Sequence, residues 1–266
     1  MSASPPPLHV RAAFGVKEIE PELLDTGPQW RCGELALRPA TNTAEATWVA
    51  QTLGDLHVPE LRIGRPVRAS DGRWVVGGWA AFHHLDGRPE PRYDEVVAAS
   101  LRLHKATADL RVPRFLAART DVFAVADRVA AGWGESAEEA RLDPAQGGRL
   151  FDVLAGTRKP LTVKSQVVHG DLFGNVLFDG DAAPGITDFT AYHRPAEWAA
   201  AVVVVDALAW GGADDGILRR WSHLPEWSQA LLHALLFRLA VHAMHPHSTE
   251  QSLRGLERAA HQITQL

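Results

Sequence analysis

Beyond residue 92 the chain places apolar side chains every three or four residues almost to its end, and one stretch breaks that rhythm. Residues 163–189, VKSQVVHGDLFGNVLFDGDAAPGITDF, read as a short strand, a polar loop, a short strand, a turn and a third short strand. His169, Asp171 and Asn175 stand in that loop between two apolar runs, with Gly170 and Gly174 beside them. A buried strand does not tolerate such a polar cluster unless the cluster holds something. Any fold for this chain must therefore set a hairpin with polar ends inside a helical body.

Around that hairpin the pattern predicts helices near 93–110, 121–132, 144–157, 195–211, 225–243 and 248–264. Ser248 and Gln251 have the spacing of a capping box at the start of the last one. Residues 8–80 carry mostly strand signals: GELALRPA alternates and stops at Pro39, and GRWVVGGWAAF follows the turn SDG. One helix interrupts them, TNTAEATWVAQTLGDL, with Asn42 as cap, Glu45 three residues on, and apolar positions at Ala46, Val49, Ala50 and Leu53. The three prolines of MSASPPP make residues 1–7 a disordered tail. The expectation is an α+β protein with a strand-rich lobe over 8–80, a linker near 79–92, and a larger helical lobe over 81–266 that carries the hairpin.

With 266 residues, nearly half of them apolar, each lobe can bury a core. The formal charge of −5 and the lack of a basic block argue against a nucleic-acid partner. The start has no signal-peptide pattern, and Cys32 is the single cysteine, so the expected location is the cytoplasm without an internal disulfide. The apolar run AEWAAAVVVVDALAW contains Glu197 and Asp206 and is too short to span a bilayer, so no membrane association is expected. Arginine outnumbers lysine and alanine is abundant, a bias of GC-rich bacterial genomes. Oligomeric state has no signature in the sequence.

Asp171, Asn175 and Asp188 are oxygen ligands at strand–loop junctions, a set that suits a hard cation such as Mg²⁺ when phosphates complete its shell. A carboxylate left off the metal can accept a proton from a hydroxyl. Taken singly, the same three residues are turn formers.

In HGDLFGNVLF and GITDF together, the sequence resembles the aminoglycoside phosphotransferase and choline kinase family, which has the two-lobed protein-kinase fold. The resemblance implies that Asp171 is the catalytic base, that Asn175 and Asp188 bind Mg²⁺, and that His169 braces the loop. It implies ATP as co-substrate and a small-molecule hydroxyl acceptor such as a sugar, an amino alcohol or an aminoglycoside-like compound. By the same likeness LLDTGPQWRCGELALRPA occupies the place of the phosphate-covering hairpin and the phosphate-pairing strand residue, here Arg38, and Glu45 that of its helix partner. VVGGWAAF would lead into the adenine-binding hinge, and SLRLHKATADL would pack beneath the site.

Three features depart from the family pattern. Asn175 follows Asp171 by four residues instead of five, Arg38 replaces a lysine, and TGPQW has one glycine. They favour as an alternative a degenerate nucleotide-binding or scaffold protein; a transferase on the same fold that moves AMP onto a protein is a separate one. Glu45 is equally explained as a capping residue. His242, His245 and His247 in HAMHPH lack the spacing of a zinc site and read as a solvated helix end. Trp79, Trp198, Trp210 and Trp221 read as packing residues, any of which can face an acceptor, and Asp206, Asp214 and Asp215 are candidates for a cationic one.

Overall fold

The computed structural model describes residues 4–25, 27–133 and 139–266. Thr26, in the expected phosphate hairpin, and the first three residues of the expected tail lie outside them. The N-terminal part runs α1 (Leu8–Ala13), β1 (Glu22–Leu23), β2 (Trp30–Cys32), β3 (Leu35–Pro39), α2 (Thr43–Asp55), β4 (Arg62–Ile63), β5 (Pro66–Val67), β6 (Val75–Val76) and β7 (Trp79–His83). Then come α3 (Tyr93–Ala106), α4 (Phe115–Ala118), α5 (Val122–Ala131), α6 (Gly148–Ala155), β8 (Gln166–His169), β9 (Val176–Leu177), β10 (Gly185–Ile186) and β11 (Ala191–Arg194). The chain ends with α7 (Ala196–Asp206), α8 (Gly216–Arg220), α9 (Trp227–Met244) and α10 (Glu250–Ile263).

Two compact units result: Met1–Glu90 with Gly174–Phe189, and Pro91–Phe173 with Thr190–Leu266. In the first, an antiparallel sheet runs in the order β1-β2-β3-β7-β5, with β6 also on β7. Its core gathers Val10, Phe14, Val16, Cys32, Leu35, Leu37 and Val76. Helix α1 supplies Val10 to that core, although strand signals dominate the sequence from residue 8. Asn42 caps α2 as expected, its side chain accepting from the N–H groups of Ala44 and Glu45.

The sequence reading put residues 174–189 in the helical lobe, whereas in the structure they pack with the first unit. The cause is a small second sheet, β4-β10-β9, in which β10 runs parallel to β4 with Gly185 opposite Arg62 and Ile186 opposite Ile63. Arg62 Nε reinforces it on the Ala183 carbonyl at 2.7 Å, and Arg88 and Phe178 exchange backbone hydrogen bonds. That pairing spans more than a hundred residues, so local periodicity gave no sign of it.

The second unit centres on α7 and α9, which are buried almost all round. Helices α3, α5, α6 and α10 pack about these two, and β8 pairs antiparallel with β11. The helix expected over 195–211 is α up to Asp206 and then a π-helical turn, Ala207–Gly211. The helix expected over 144–157 is broken at Gly147, whose φ of 108° a helix cannot continue through. The last helix is capped one residue later than expected, by Thr249 with Ser252 reciprocating, in place of Ser248 and Gln251. Among the described residues no helix is long and apolar enough to cross a membrane.

Candidate active site

The polar loop leaves the buried end of β8, where Val167 and Val168 are fully enclosed. Its conformation is fixed from α3. The His169 N–H donates to Nε2 of buried His104 at 2.9 Å. That acceptor role places the His104 proton on Nδ1, which faces Ser100 Oγ at 3.2 Å. Burial, aided by the neighbouring His169, pushes the His104 pKa down to about 3, so the ring stays neutral. Gln166 Nε2 donates to the His104 carbonyl and Thr107 Oγ1 to the Val167 carbonyl, which ties the end of α3 to β8. Next, the Asp171 N–H donates to His169 Nδ1 at 3.1 Å. Gly170 is required here by proximity: a Cβ would lie 2.4 Å from the Tyr192 ring and 3.2 Å from Trp198, both buried.

The Asp171 side chain is 47% exposed, and its Oδ1 accepts from Arg238 Nη2 of α9 at 3.1 Å. The same guanidinium forks onto Asp206, with Nε on Oδ1 at 2.7 Å and Nη2 on Oδ2. Asp206 is 1% exposed. Burial pushes its carboxyl up to about 6, against the attraction of Arg238. Two residues past Asp171, Phe173 stacks on Tyr93 with centroids 5.9 Å apart, and the Tyr93 hydroxyl donates to the Gly211 carbonyl in the π-helical turn.

Asn175 and Asp188 belong to the first unit. Val176 of β9 pairs with Ile186 of β10, so both residues leave the same end of that short ladder. Arg38, inside β3, has its Nη1 2.5 Å from Asp188 Oδ1 and 3.1 Å from the Thr187 carbonyl. Its guanidinium lies over the Phe82 ring at 3.9 Å. The Phe189 N–H also donates to Asp188 Oδ1. Glu45 lies in the first turn of α2. The carboxylate and the amide are hard oxygen donors at one hairpin end, a set that fits Mg²⁺ once phosphates add ligands.

Within the first unit a cavity of about 140 Å³ is lined by residues that include Leu24, Ala36, Phe82, Leu85, Leu177 and Thr187. Its wall includes the segment after β7, where the His84 N–H is taken by the Glu34 carbonyl. Apolar side chains make up most of its exposed wall, with Asp25, Gln29, His84 and Arg88 as polar members of the lining.

Other candidates have partners within the fold. Asp206, read from sequence as a possible contact for a cationic acceptor, is sealed against Arg238. Asp214 pairs with Arg220, which also holds Asp94. His242 bridges Gln146 and the α10 cap through Thr249 and Ser252. Trp198 is buried in a cluster with Tyr192 and Phe237, while Trp221 donates to Asp94. Sequence reasoning missed Arg238 and His104. Arg238 carried a signal: a lone cation in ALLFRLAVHAM must be paired, and Asp206 closes the apolar run of α7.

Comparison with known proteins agrees with this architecture. No protein-family model matches the sequence, and no curated protein matches it. Solved structures do. A microcompartment-associated aminopropanol kinase superposes with a TM-score of 0.59 at 16% identity, covering 96% of this chain and 94% of that one. An aminoglycoside phosphotransferase from Alicyclobacillus acidocaldarius gives 0.59 at 16%, covering 99% and 94%. A thermostable aminoglycoside phosphotransferase in ternary complex with AMP-PNP and hygromycin B gives 0.56 at 13%, covering 96% and 97%. The chain thus has the two-lobed protein-kinase-like fold that these small-molecule kinases share.

Proposed function

We propose that the protein is an ATP- and Mg²⁺-dependent phosphotransferase that moves the γ-phosphoryl group to a hydroxyl of a small sugar, amino alcohol or aminoglycoside-like acceptor in the cytoplasm. The observation that carries this reading is Asp171: a half-exposed carboxylate past the enclosed end of β8, its backbone N–H donating to His169 and its side chain accepting from Arg238, in a fold shared with kinases over nearly its whole length. Asp171 accepts the proton of the acceptor hydroxyl as the new oxygen–phosphorus bond forms and the bond to the bridging oxygen of ADP breaks. Asn175 and Asp188 hold the metal, which when bound neutralises phosphate charge. Arg38 turns from Asp188 towards the phosphates, and its fork suits two phosphate oxygens. Glu45, at the start of α2, is assigned to orienting Arg38. The cavity beside Leu85 takes the base.

The test is mass spectrometry of a panel of hydroxyl acceptors incubated with the protein and MgATP. A phosphoryl adduct on one acceptor that Asp171→Asn abolishes supports the reading; an adenylyl adduct on protein redirects it to AMP transfer. The ion pair between Arg38 and Asp188 favours a second reading, a nucleotide-binding protein without turnover. ATP consumption with any acceptor rules that out.

A further inference from the structure

We infer that Arg238 is the positioning residue for the Asp171 carboxylate and that Asp206 is the anchor that holds it in place. The inference rests on the reading of Asp171 as proton acceptor. Arg238 emerges from a buried stretch of α9, between Leu235, Leu236 and Phe237 on one side and Leu239 and Ala240 on the other. A guanidinium in such surroundings needs a carboxylate partner. Asp206 alone meets that need, since its two oxygens take Nε and Nη2. Nη2 nevertheless makes one contact more, to Oδ1 of Asp171, the exposed acid at the mouth of the loop.

This geometry has a direction. A guanidinium is planar, so two hydrogen bonds to a buried carboxylate fix its plane and with it the place where Nη2 points. Asp206 cannot drift, being enclosed in α7. The position of Asp171 Oδ1 is therefore referred to the packed α7–α9 core as well as to its own loop. Other restraints on the loop act elsewhere: His104 and His169 accept from its backbone N–H groups, and Tyr93 stacks on Phe173. Arg238 adds a restraint through the Asp171 side chain, and so on the loop that carries it. Lysine at this position keeps the charge but not the fork, so it satisfies Asp206 without fixing Asp171.

The experiment compares wild type, Arg238→Lys, Asp171→Asn and the double variant in Mg²⁺-dependent ATP hydrolysis with water as acceptor. Alongside it, hydrogen exchange is read by mass spectrometry over peptides covering 167–175. The expected result for Arg238→Lys is a kcat about 100-fold lower with the KM for ATP nearly unchanged, the pattern of a misplaced group. The double variant should turn over no more slowly than Asp171→Asn alone, because Arg238 acts through Asp171. Exchange should quicken in the loop peptides and stay unchanged in α7 and α9. Losses that multiply in the double variant, or loop exchange equal to wild type, overturn the inference. An Asp171→Asn protein with full turnover overturns the base assignment and this inference with it. A wild type that does not hydrolyse ATP with water leaves the kinase reading to the acceptor panel, and the exchange comparison then still decides whether Arg238 holds the loop.

Discussion

Arg38 Nη1 lies 2.5 Å from Asp188 Oδ1, so the cation we assign to the phosphates is paired with the carboxylate we assign to the metal. Arg38 is 17% exposed and Asp188 45%, so the carboxylate side of the pair is open to water, and in the proposed reading the pair opens for a ligand that carries both charges. MgATP can replace the pair on both sides at once; ATP alone replaces one side and leaves Asp188 without a cation. Removing Arg38 forfeits charge-assisted hydrogen bonds of about 1.5–3 kcal/mol. Arg38→Ala should therefore raise the Kd for MgATP by roughly 10- to 100-fold in calorimetric titration. An unchanged Kd would mean that Arg38 does not reach the nucleotide.

Gly170 gives a prediction of a different kind. A methyl group there would sit 2.4 Å from the Tyr192 ring, in a cluster with Trp198 and Phe237 that has no room to yield. Gly170→Ala should cost about 1–3 kcal/mol by overpacking, measured by denaturant unfolding. Gly174, with φ of +76° and open space at its Cβ position, should respond through backbone strain alone and lose less.

His104 ties the loop to pH. Its folded pKa of about 3 lies below the ordinary histidine value, so the unfolded chain binds the proton more readily. Stability from this group is complete above about pH 6.5 and is lost as pH falls below it, at about 1.4 kcal/mol per unit. Unfolding free energies of wild type and His104→Gln should therefore converge as pH drops from 7 towards 5. A gap independent of pH would show that His104 is not held neutral in the fold.

The Arg238–Asp206 pair separates stability from positioning. Arg238→Met alone leaves a buried carboxylate uncompensated and should cost about 3–5 kcal/mol. Replacing both, Arg238→Met with Asp206→Leu, should recover most of that loss, because an apolar pair of similar volume suits the α7–α9 interface. Urea midpoints of the three proteins check this. Recovery of stability without recovery of ATP turnover separates fold from function.

Much of this was legible in the sequence, and the exceptions share a cause. Periodicity located the main helices, and Asn42 capped α2 as its side chain predicts. The strand–loop–strand pattern located Asp171, Asn175 and Asp188. What stayed hidden depends on partners distant in the chain. Arg238 meets Asp171 across 67 residues, His104 meets His169 across 65, and β10 joins β4 from beyond the first lobe's apparent end. Helix α1 escaped notice because it is six residues long and offers one fully buried side chain. Where an interaction was local, as in the cap of α2, residue type was enough; where it was tertiary, only Asp206 at the end of α7 and Arg238 in α9 gave a hint.

The most direct test of the account is thermal unfolding of the protein with ATP, ADP and GTP, each with and without Mg²⁺, for wild type and Asp188→Asn. A ligand that binds only the folded state adds about 2.7 kcal/mol at 100 times its Kd. The account predicts an upward shift in Tm with ATP or ADP that requires Mg²⁺ and is lost in Asp188→Asn. A Tm unmoved by any nucleotide, or a shift indifferent to both Mg²⁺ and Asp188, would contradict it.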